Sequence, residues 1–394
     1  MRGRGAALAA AACLAALCAC APGATLRAKQ EFARFGTEVR WVYAEEYTPD
    51  ADAVWAQLTA RSDAIEADIS TERAQSSVSR FNAAAAGERV PIGADAYQML
   101  TVAQAVYAET AGAYNPATGL LVDLWGFSPR HRADDYAPTA DYDRADYTKE
   151  LPDASYLAAF SDRRLLDFGA VELGEDEDGY YAVKPEDAFV EVENAQGEAV
   201  TYTMQLNLSG IGKGYCADEG GAILRAAGVE YGYYNLGASS MLLLADPSSK
   251  DGVWKVGISS PREFSSRAEY ASLRARDTVL STSGDYEQYY ELHGVRYCHI
   301  IDPFTGYPVG ASPEEGGAHI VCVTVAGGGA AEGDARATAI SCMGLDEALA
   351  YCRAHSGTFR AVFVWYDGAG KHTVYSNLEE WTLNERSLRV EEIA

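Results

Sequence analysis

The sequence predicts an α+β fold in which two halves are joined in a single domain. Hydrophobic residues make up 48% and aromatic residues 11% of the 394 residues, which is enough for a sizeable core. Strand-type and helix-type patterns follow one another along the chain without a solenoid-type repeat. Because no long Pro/Ser-rich linker divides the chain, we expect the two halves to share one fold.

The amino-terminal half carries clear helical periodicity. Its predicted elements are a strand at 38–44 and helices at 52–69 and 95–110. The first helix is indicated by apolar residues at helical spacing, namely Val54, Leu58, Ile65 and Ile69. Residues 125–206 are acidic, aromatic and irregular, and we predict an elaboration there with strands around Val171 and Val190 and a hairpin-like turn at 174–179.

The carboxyl-terminal half alternates more sharply between strands and helices. Strands are predicted at 201–206, 231–236, 241–244, 254–258, 319–325 and 360–365, and helices at 215–227, 334–343 and 345–355. A hairpin is predicted at 287–292 and 296–301, turning at His293 and Gly294. The succession of strand, glycine-rich turn, helix and strand from residue 201 is typical of a ligand site at a helix start.

The charge of the chain argues against nucleic acid as a partner. It has 57 acidic and 32 basic side chains, a formal net charge of −25, which repels a polyanion. A phosphate-bearing ligand would therefore need a metal ion, backbone amides or a local lysine.

Five cysteines beyond residue 20 show no zinc-type spacing, and we interpret them as small buried hydrophobic residues.

The amino terminus is predicted to be a targeting segment. Arg2 and Arg4 precede an Ala/Leu/Cys run at 6–21 that is too short to span a bilayer comfortably. The end of this run resembles a bacterial lipobox, which would make Cys20 the lipidated first residue of the mature protein; an ordinary secretory signal is the alternative. We therefore predict a signal peptide at 1–20, a single catalytic domain at 21–380 and a carboxyl-terminal tail at 381–394.

Two polar motifs predict a cation site and an anion site. Asp334 and Thr338 are four residues apart in a predicted first helical turn, so a carboxylate and a hydroxyl share one face and suit Mg²⁺. In NLSGIGKGYCAD (207–218), glycines let the backbone approach a ligand, and Lys213 adds a positive charge at a helix start. A helix cap at Asp334 and a tight structural turn at the glycines are the alternatives.

Two further motifs lie close together in the sequence. In TSGDYEQYY (282–290), Ser283, Gly284 and Asp285 could form an Asx-type turn whose hydroxyls meet phosphate or ribose, and a plain polar turn is an equal alternative. In HIIDPFTGYP (299–308), His299 is a candidate base, although a lone histidine beside a strand is more often structural.

These motifs occur in the order of a known family. With FARFGTEV (32–39), ISTERAQSSVSRFNAA (69–84), AGAYNPATGLLVDLWGF (111–127) and YNLGAS (234–239), the chain closely resembles the ApbE family of bacterial flavin transferases over nearly the whole mature length. The resemblance implies the ApbE-like α+β fold, with mixed or antiparallel sheets, packed helices and a ligand cleft between the two halves. It also implies an FAD:protein FMN transferase, often a lipoprotein anchored outside the cytoplasmic membrane.

The resemblance implies a reaction and a set of roles. A Ser/Thr hydroxyl of an acceptor protein would attack the FMN phosphorus of FAD and release AMP. Mg²⁺ would be held by Asp334, Thr338 and the carbonyl of Gly212. Lys213 would sit near the phosphates, and His299 would be the base, with Asp302 as its orienter or rival. The implied acceptors are flavoprotein subunits of extracytoplasmic or membrane redox systems.

The resemblance also assigns the FAD-binding residues and shows departures from the family pattern. The residues implied to contact FAD are Phe35, Ser79, Asn82, Gly210, Lys213, Thr282, Ser283, Asp285 and His299. The family usually has Met at Phe35, an aromatic residue at Glu72, Asp at Asn207 and Ala at Gly212. An FAD pyrophosphatase that yields FMN and AMP, and a non-catalytic FAD-binding lipoprotein, are the alternative functions.

Overall fold

The computed structural model describes residues 24–128, 151–194, 196–265 and 267–394. The predicted signal peptide and Cys20 lie outside the described residues. In the described part of the chain, no helix is both long enough and apolar enough to cross a membrane.

The described residues form both helices and strands, and the strands outnumber the helices. The helices are α1 (Ala51–Ile69), α2 (Ser77–Ala83), α3 (Ala94–Glu109), α4 (Gly119–Leu124), α5 (Ala154–Phe160), α6 (Arg163–Leu166), α7 (Ser209–Ala226), α8 (Ala330–Ser341) and α9 (Leu345–Ala354), with 3-10 turns at Glu45–Tyr47 and Phe168–Ala170. The strands are β1 (Leu26–Arg34), β2 (Thr37–Ala44), β3 (Arg89–Pro91), β4 (Glu172–Asp176), β5 (Gly179–Val183), β6 (Phe189–Glu193), β7 (Ala199–Thr203), β8 (Gly232–Leu236), β9 (Ser240–Leu243), β10 (Trp254–Ser259), β11 (Glu269–Ala275), β12 (Thr278–Gly284), β13 (Tyr289–Leu292), β14 (Val295–Cys298), β15 (His319–Ala326), β16 (Arg360–Tyr366), β17 (His372–Ser376), β18 (Trp381–Leu383) and β19 (Arg389–Glu392).

A nine-stranded mixed sheet is the centre of the fold. Its strand order is β1-β2-β8-β9-β12-β15-β16-β17-β19, and the neighbours are antiparallel except for the parallel pair β17 and β19. The smaller sheets are β10-β11-β18, β3-β5-β4, β6-β7 and β13-β14. The mixed and antiparallel sheets predicted for this α+β chain are therefore confirmed.

The central sheet is buried on both faces. Because successive side chains of a strand point to opposite faces, Tyr234 in β8 packs into the larger core with the helices, whereas Tyr233 packs into a second core. This second core lies between the central sheet and the strands β10, β11 and β18, and it contains the buried side chains of Trp254 and Tyr270. The sheet is thus a rigid middle layer that fixes the positions of the helices carrying the site.

Helices α7 and α8 approach unusually closely because α7 is rich in glycine. A Cβ placed on Gly214 would lie 2.2 Å from the backbone oxygen of Ala330, so a side chain there is sterically forbidden in this packing. The carboxylate of Asp218 in α7 accepts hydrogen bonds from the backbone N–H groups of Ala330 and Ala331, each at 2.9 Å. Asp218 thus caps the start of α8 from the neighbouring helix.

We predict that Gly214→Ala destabilises the protein, because the new methyl group collides with backbone rather than with a movable side chain. The expected loss in the free energy of unfolding is about 1–3 kcal/mol, measured by denaturant titration. Gly357→Ala is the matched control, because no atom lies within 4 Å of the Cβ position of Gly357. Equal stability of the two variants would contradict the close approach of α7 and α8.

Some sequence predictions are confirmed and others are wrong. The predicted helix at 52–69 corresponds to α1, and the predicted hairpin corresponds to β13 and β14, with His293 and Gly294 at positive φ. The start predicted for the helix at 215–227 is wrong. The corresponding helix, α7, begins at Ser209 and includes the glycines. The tail predicted at 381–394 is also part of the fold, since it supplies β18 and β19 to two sheets.

The five cysteines in the described part of the chain are free thiols within the fold. Four of them are buried and Cys342 is partly buried. Burial raises the pKa of each of these thiols above its usual value. They therefore have the character of small hydrophobic core residues, in agreement with the interpretation from their spacing.

Candidate active site

The start of α7 forms one wall of the site. The backbone N–H of Asn207 donates to the oxygen of Pro116 at 2.8 Å, and its side-chain oxygen accepts from the N–H of Ser209 at 2.9 Å. Asn207 therefore forms an Asx-type turn immediately before α7, whose N-cap position is Leu208. The departure from the family pattern at Asn207 keeps this hydrogen bond, because side-chain oxygens of Asn and Asp both accept from a backbone N–H.

The middle of α8 faces this wall with the carboxylate predicted from the sequence. Asp334 is 2% exposed, and its Oδ2 accepts a hydrogen bond from the N–H of Gly214 at 3.0 Å. The hydroxyl of Thr338 donates to the backbone oxygen of Asp334 at 3.1 Å, one turn away in α8. A methyl group on Gly210 would lie 3.1 Å from the same hydroxyl. The structure thus brings Asp334, Thr338, Gly210 and Gly214 together.

The electrostatics of this cluster are dominated by burial and by one lysine. Burial raises the pKa of Asp334 above its usual value, and the positive charge of Lys213 partly opposes that rise. Lys213 also influences His299: burial first, and then the charge of Lys213, lower the pKa of His299 to about 4. The ammonium of Lys213, whose Nζ is 3.4 Å from the oxygen of Ser209, therefore acts on both groups.

The ring of His299 is oriented by a backbone carbonyl. Its Nδ1 lies 3.3 Å from the backbone oxygen of Gln288, which is in the connection between β12 and β13. With the proton on Nδ1 donated to this carbonyl, Nε2 is left free to accept a proton. Since the pKa of His299 is about 4, the ring is neutral at pH 7.

Asp302 is not the orienter of His299. One of its carboxylate oxygens accepts from the N–H of Phe304 at 2.9 Å, and the other accepts from the hydroxyl of Thr305 at 2.9 Å. Both oxygens therefore stabilise the turn of the motif at 299–308, and the prediction that Asp302 orients the histidine is wrong. The rival role of Asp302 as base stays a prediction, because each carboxylate oxygen keeps a lone pair that can accept a proton.

The polar turn expected at residues 283–285 begins only at Asp285, because β12 extends to Gly284. Ser283 lies in strand β12, and the hydroxyl of Thr282 is hydrogen-bonded to that of Thr324 at 2.9 Å. Asp285 is buried and binds Arg262 at 2.7 Å and Nε2 of His319 at 2.9 Å. Burial would raise the pKa of Asp285, but these two partners outweigh it and lower the pKa. Asp285 is therefore the anionic centre of an ion-pair network.

The amino-terminal residues implied to contact FAD differ in how free their side chains are. The amide of Asn82 exchanges two hydrogen bonds with the backbone of Leu206, at 2.7 and 2.9 Å, and thereby fixes the segment leading into α7. The hydroxyl of Ser79 donates to the oxygen of Ser70 at 3.1 Å. Phe35 occupies the hairpin turn between β1 and β2 at a φ of 51°, and its ring edge would be 3.8 Å from a methyl group on Gly212. Phe35 is thus the one of these three that reaches the wall formed by α7.

The donor set of the cluster suits a hard divalent cation. Among the described residues, no group of three or more His, Cys, Asp and Glu side chains could hold a metal ion. A cation here would therefore need the carboxylate of Asp334 together with neutral oxygens, such as the hydroxyl of Thr338 and the carbonyl of Gly212. Gly212 lies within α7, and a helical carbonyl keeps a second lone pair for such a ligand. The residues present fit Mg²⁺.

Sequence reasoning missed three residues that shape the site. Tyr114 packs against Gly210, Asp218 caps α8, and His319 binds Asp285. A motif search has no local signal for these contacts, because each one joins segments far apart in the chain. Tyr114 lies in a motif that was recognised, but its neighbours on α7 and α8 become visible only in the folded structure.

We predict that Lys213→Met raises the pKa of both Asp334 and His299, because the lysine charge lowers both. The measurement is an NMR titration of the His299 ring in the protein without added ligands. Lys371→Met is the control, since Lys371 lies in a distant hairpin and its charge acts on Asp367. An unchanged pKa of His299 in Lys213→Met would place the ammonium away from the ring.

A buried carboxylate opposite a glycine-rich helix start, with a lysine and a neutral histidine nearby, is typical of the active site of an enzyme. The chain belongs to the ApbE family, whose family model matches residues 35–363. This family membership confirms the resemblance found in the sequence.

Relatives and solved structures agree with this placement. The chain is 28% identical over 298 residues to the FAD:protein FMN transferase of Klebsiella pneumoniae, covering 76% of this chain and 73% of that protein. It is 28% identical over 305 residues to the enzyme of the same name from Treponema pallidum, with the same coverage. The structure of the flavin transferase ApbE from Vibrio cholerae shares the fold, with a TM-score of 0.69, 24% identity and coverage of 90% of this chain and 97% of that one.

Proposed function

We propose that this protein transfers the FMN moiety of FAD to a Ser or Thr hydroxyl of an acceptor protein, with Mg²⁺ bound, and releases AMP. The observation that carries the proposal is the cluster of Asp334, Gly214 and Thr338 beside Lys213, in a member of the ApbE family. The names of the curated relatives support flavin transfer.

The residues of this cluster have distinct tasks in the proposed reaction. Asp334, Thr338 and the carbonyl of Gly212 would hold Mg²⁺. Once bound, this ion supplies Lewis-acid stabilisation of the diphosphate and a template for its alignment. The ammonium of Lys213 offsets phosphate charge, which matters because the chain as a whole is strongly acidic. Positioning and charge neutralisation together are the main demands of transfer at a phosphorus.

The neutral ring of His299 is suited to take the proton. The acceptor hydroxyl oxygen forms a bond to the FMN phosphorus while the phosphoanhydride bond to AMP breaks. The hydroxyl proton moves to Nε2 of His299, since Nδ1 faces the carbonyl of Gln288. The products are a phosphoester-linked FMN on the acceptor and free AMP.

The test is incubation of the chain from Thr25 onward with FAD, Mg²⁺ and a candidate acceptor protein, followed by in-gel flavin fluorescence and mass spectrometry. A covalent FMN adduct on the acceptor supports transfer, and omission of Mg²⁺ is the control. Free FMN and AMP without an adduct would indicate an FAD pyrophosphatase. Intact FAD after prolonged incubation would indicate a non-catalytic FAD-binding protein.

The cellular setting forms a separate part of the proposal. We propose that Cys20 is lipidated, that the protein is held at the outer side of the cytoplasmic membrane, and that its acceptors are redox subunits there. The lipobox-like sequence before Cys20 supports this proposal. Metabolic labelling with a fatty acid tests it: label on the wild-type protein and none on Cys20→Ala is expected, whereas equal labelling would refute it.

A further inference from the structure

Tyr114 carries a polar group that the fold itself does not use. Its side chain is 2% exposed, and its hydroxyl has no hydrogen-bond partner among the residues that the structure describes. A buried hydroxyl without a partner destabilises the folded state, and such a group in a native structure calls for an explanation. The proposed transfer reaction as derived above assigns no task to Tyr114.

The hydroxyl end of Tyr114 is directed at the cluster around Asp334. A methyl group on Gly210 would lie 3.5 Å from Cε2 of Tyr114 and 3.1 Å from the hydroxyl oxygen of Thr338, so both side chains meet over one face of α7. Cε2 is bonded to the carbon that bears the phenol oxygen. Burial raises the pKa of Tyr114, and the negative charge of Asp334 raises it further. The phenol is therefore close enough to Asp334 for the two groups to interact electrostatically.

The segment that carries Tyr114 is fixed on both sides of the ring. The N–H of Tyr114 donates to the hydroxyl of Thr110 at 3.1 Å, and the side chain of Asn115 donates to the oxygen of Leu166 at 2.8 Å. The oxygen of Pro116 accepts from Asn207 at the start of α7. These hydrogen bonds fix the backbone position of Tyr114, and the ring is packed in the larger core.

We propose that Tyr114 is a positioning residue of the divalent-cation site, where its hydroxyl forms a hydrogen bond with a water molecule of the bound cation. This inference rests on the proposed function. Mg²⁺ usually keeps several waters when a protein binds it, and Asp334, Thr338 and Gly212 leave coordination positions for them. A phenol hydroxyl both donates and accepts, so it can pair with such a water and gains the partner that it otherwise lacks.

The test measures cation binding directly, without FAD or acceptor. Mn²⁺ is the probe, and its dissociation constant is determined by electron paramagnetic resonance for the wild type and for Tyr114→Phe. We expect the dissociation constant to rise roughly fivefold in Tyr114→Phe, the effect of one lost hydrogen bond. The thermal midpoint of the metal-free variant should be unchanged or higher, because an unpartnered buried hydroxyl has been removed.

Tyr270→Phe is the matched control. The hydroxyl of Tyr270 is also buried, but it lies in the second core, on the other face of the central sheet, where the thiol of Cys322 is its polar neighbour. This variant should show a wild-type dissociation constant for Mn²⁺, because it removes a buried phenol hydroxyl on the other face of the sheet.

The outcomes separate this inference from the proposed function. Loss of Mn²⁺ binding in Asp334→Asn together with a wild-type dissociation constant in Tyr114→Phe overturns the role of Tyr114 alone. Wild-type Mn²⁺ binding in Asp334→Asn overturns the cation site, and the inference with it. Weaker Mn²⁺ binding in Tyr114→Phe with a lowered metal-free stability also counts against it, because a general packing defect then explains the loss.

Discussion

Asp334→Asn is expected to abolish metal-dependent flavin transfer while leaving the protein folded. The substitution removes the negative charge that would hold Mg²⁺ but keeps a side-chain oxygen that can accept from the N–H of Gly214. Loss of the cation removes several kcal/mol of transition-state stabilisation, so the transfer rate should fall on the order of 10³-fold or more. The rate is measured as FMN adduct formed per minute at saturating FAD and Mg²⁺.

The free energy of unfolding of Asp334→Asn shows whether the lower transfer rate comes from the missing charge or from a less stable fold. Burial raises the pKa of Asp334 in the folded state, so the ionised carboxylate favours the unfolded state at pH 7. The protonated carboxyl of Asp334 stabilises the folded state at pH values below its pKa in the unfolded chain. This contribution is lost as the pH rises through its pKa in the folded protein. Asp334→Asn should therefore unfold at the same or a higher denaturant concentration than the wild type without metal. Asp367→Asn, in an exposed hairpin, is the control, and a wild-type transfer rate in Asp334→Asn would remove this residue from the metal site.

His299→Ala is expected to lower the transfer rate by roughly 10²-fold or more, the usual contribution of a general base. The pH dependence gives a second test. Because the pKa of His299 is lowered to about 4, the ring is already deprotonated above pH 5. The wild-type rate should therefore rise with pH through about 4 and should show no acid limb near 6.5.

A variant at another histidine controls for a general effect of the substitution. His293 lies in the exposed turn of the hairpin at a φ of 51°, a conformation that asparagine also tolerates. His293→Asn should keep the wild-type rate and pH profile. A near-normal rate in His299→Ala would show that His299 is not the base. The cation-bound phosphate or water would then accept the proton.

Elements with a strong local pattern could be predicted from the sequence. The spacing of Val54, Leu58, Ile65 and Ile69 gave α1, because helical periodicity is a local property. The glycines of α7 show the limit of that approach. Glycine lowers helix propensity, so a turn was predicted at 207–214, but tertiary packing keeps this segment helical and uses the missing side chains to admit α8.

The site could be predicted in part for the same reason. Asp334 and Thr338 share a helix face whatever the rest of the fold does, and the structure places them together. The ion-pair partners of Asp285 could not be predicted, because they are not near it in sequence: Arg262 is 23 residues away and His319 is 34 residues away. The contact of Tyr114 with α7 and α8 likewise depends on packing between distant segments, which no local pattern contains.

The four buried thiols and the partly buried thiol of Cys342 can report local opening of the folded protein. A thiol reacts as the thiolate, and burial both raises the pKa of these cysteines and shields the sulfur from a reagent. At neutral pH a thiol is labelled only when a local fluctuation exposes its sulfur. The labelling rate therefore measures how often that part of the fold opens. Cys298 precedes His299, and Cys322 lies in the central sheet. Comparing their labelling rates would show whether the segment around His299 opens independently of the central sheet.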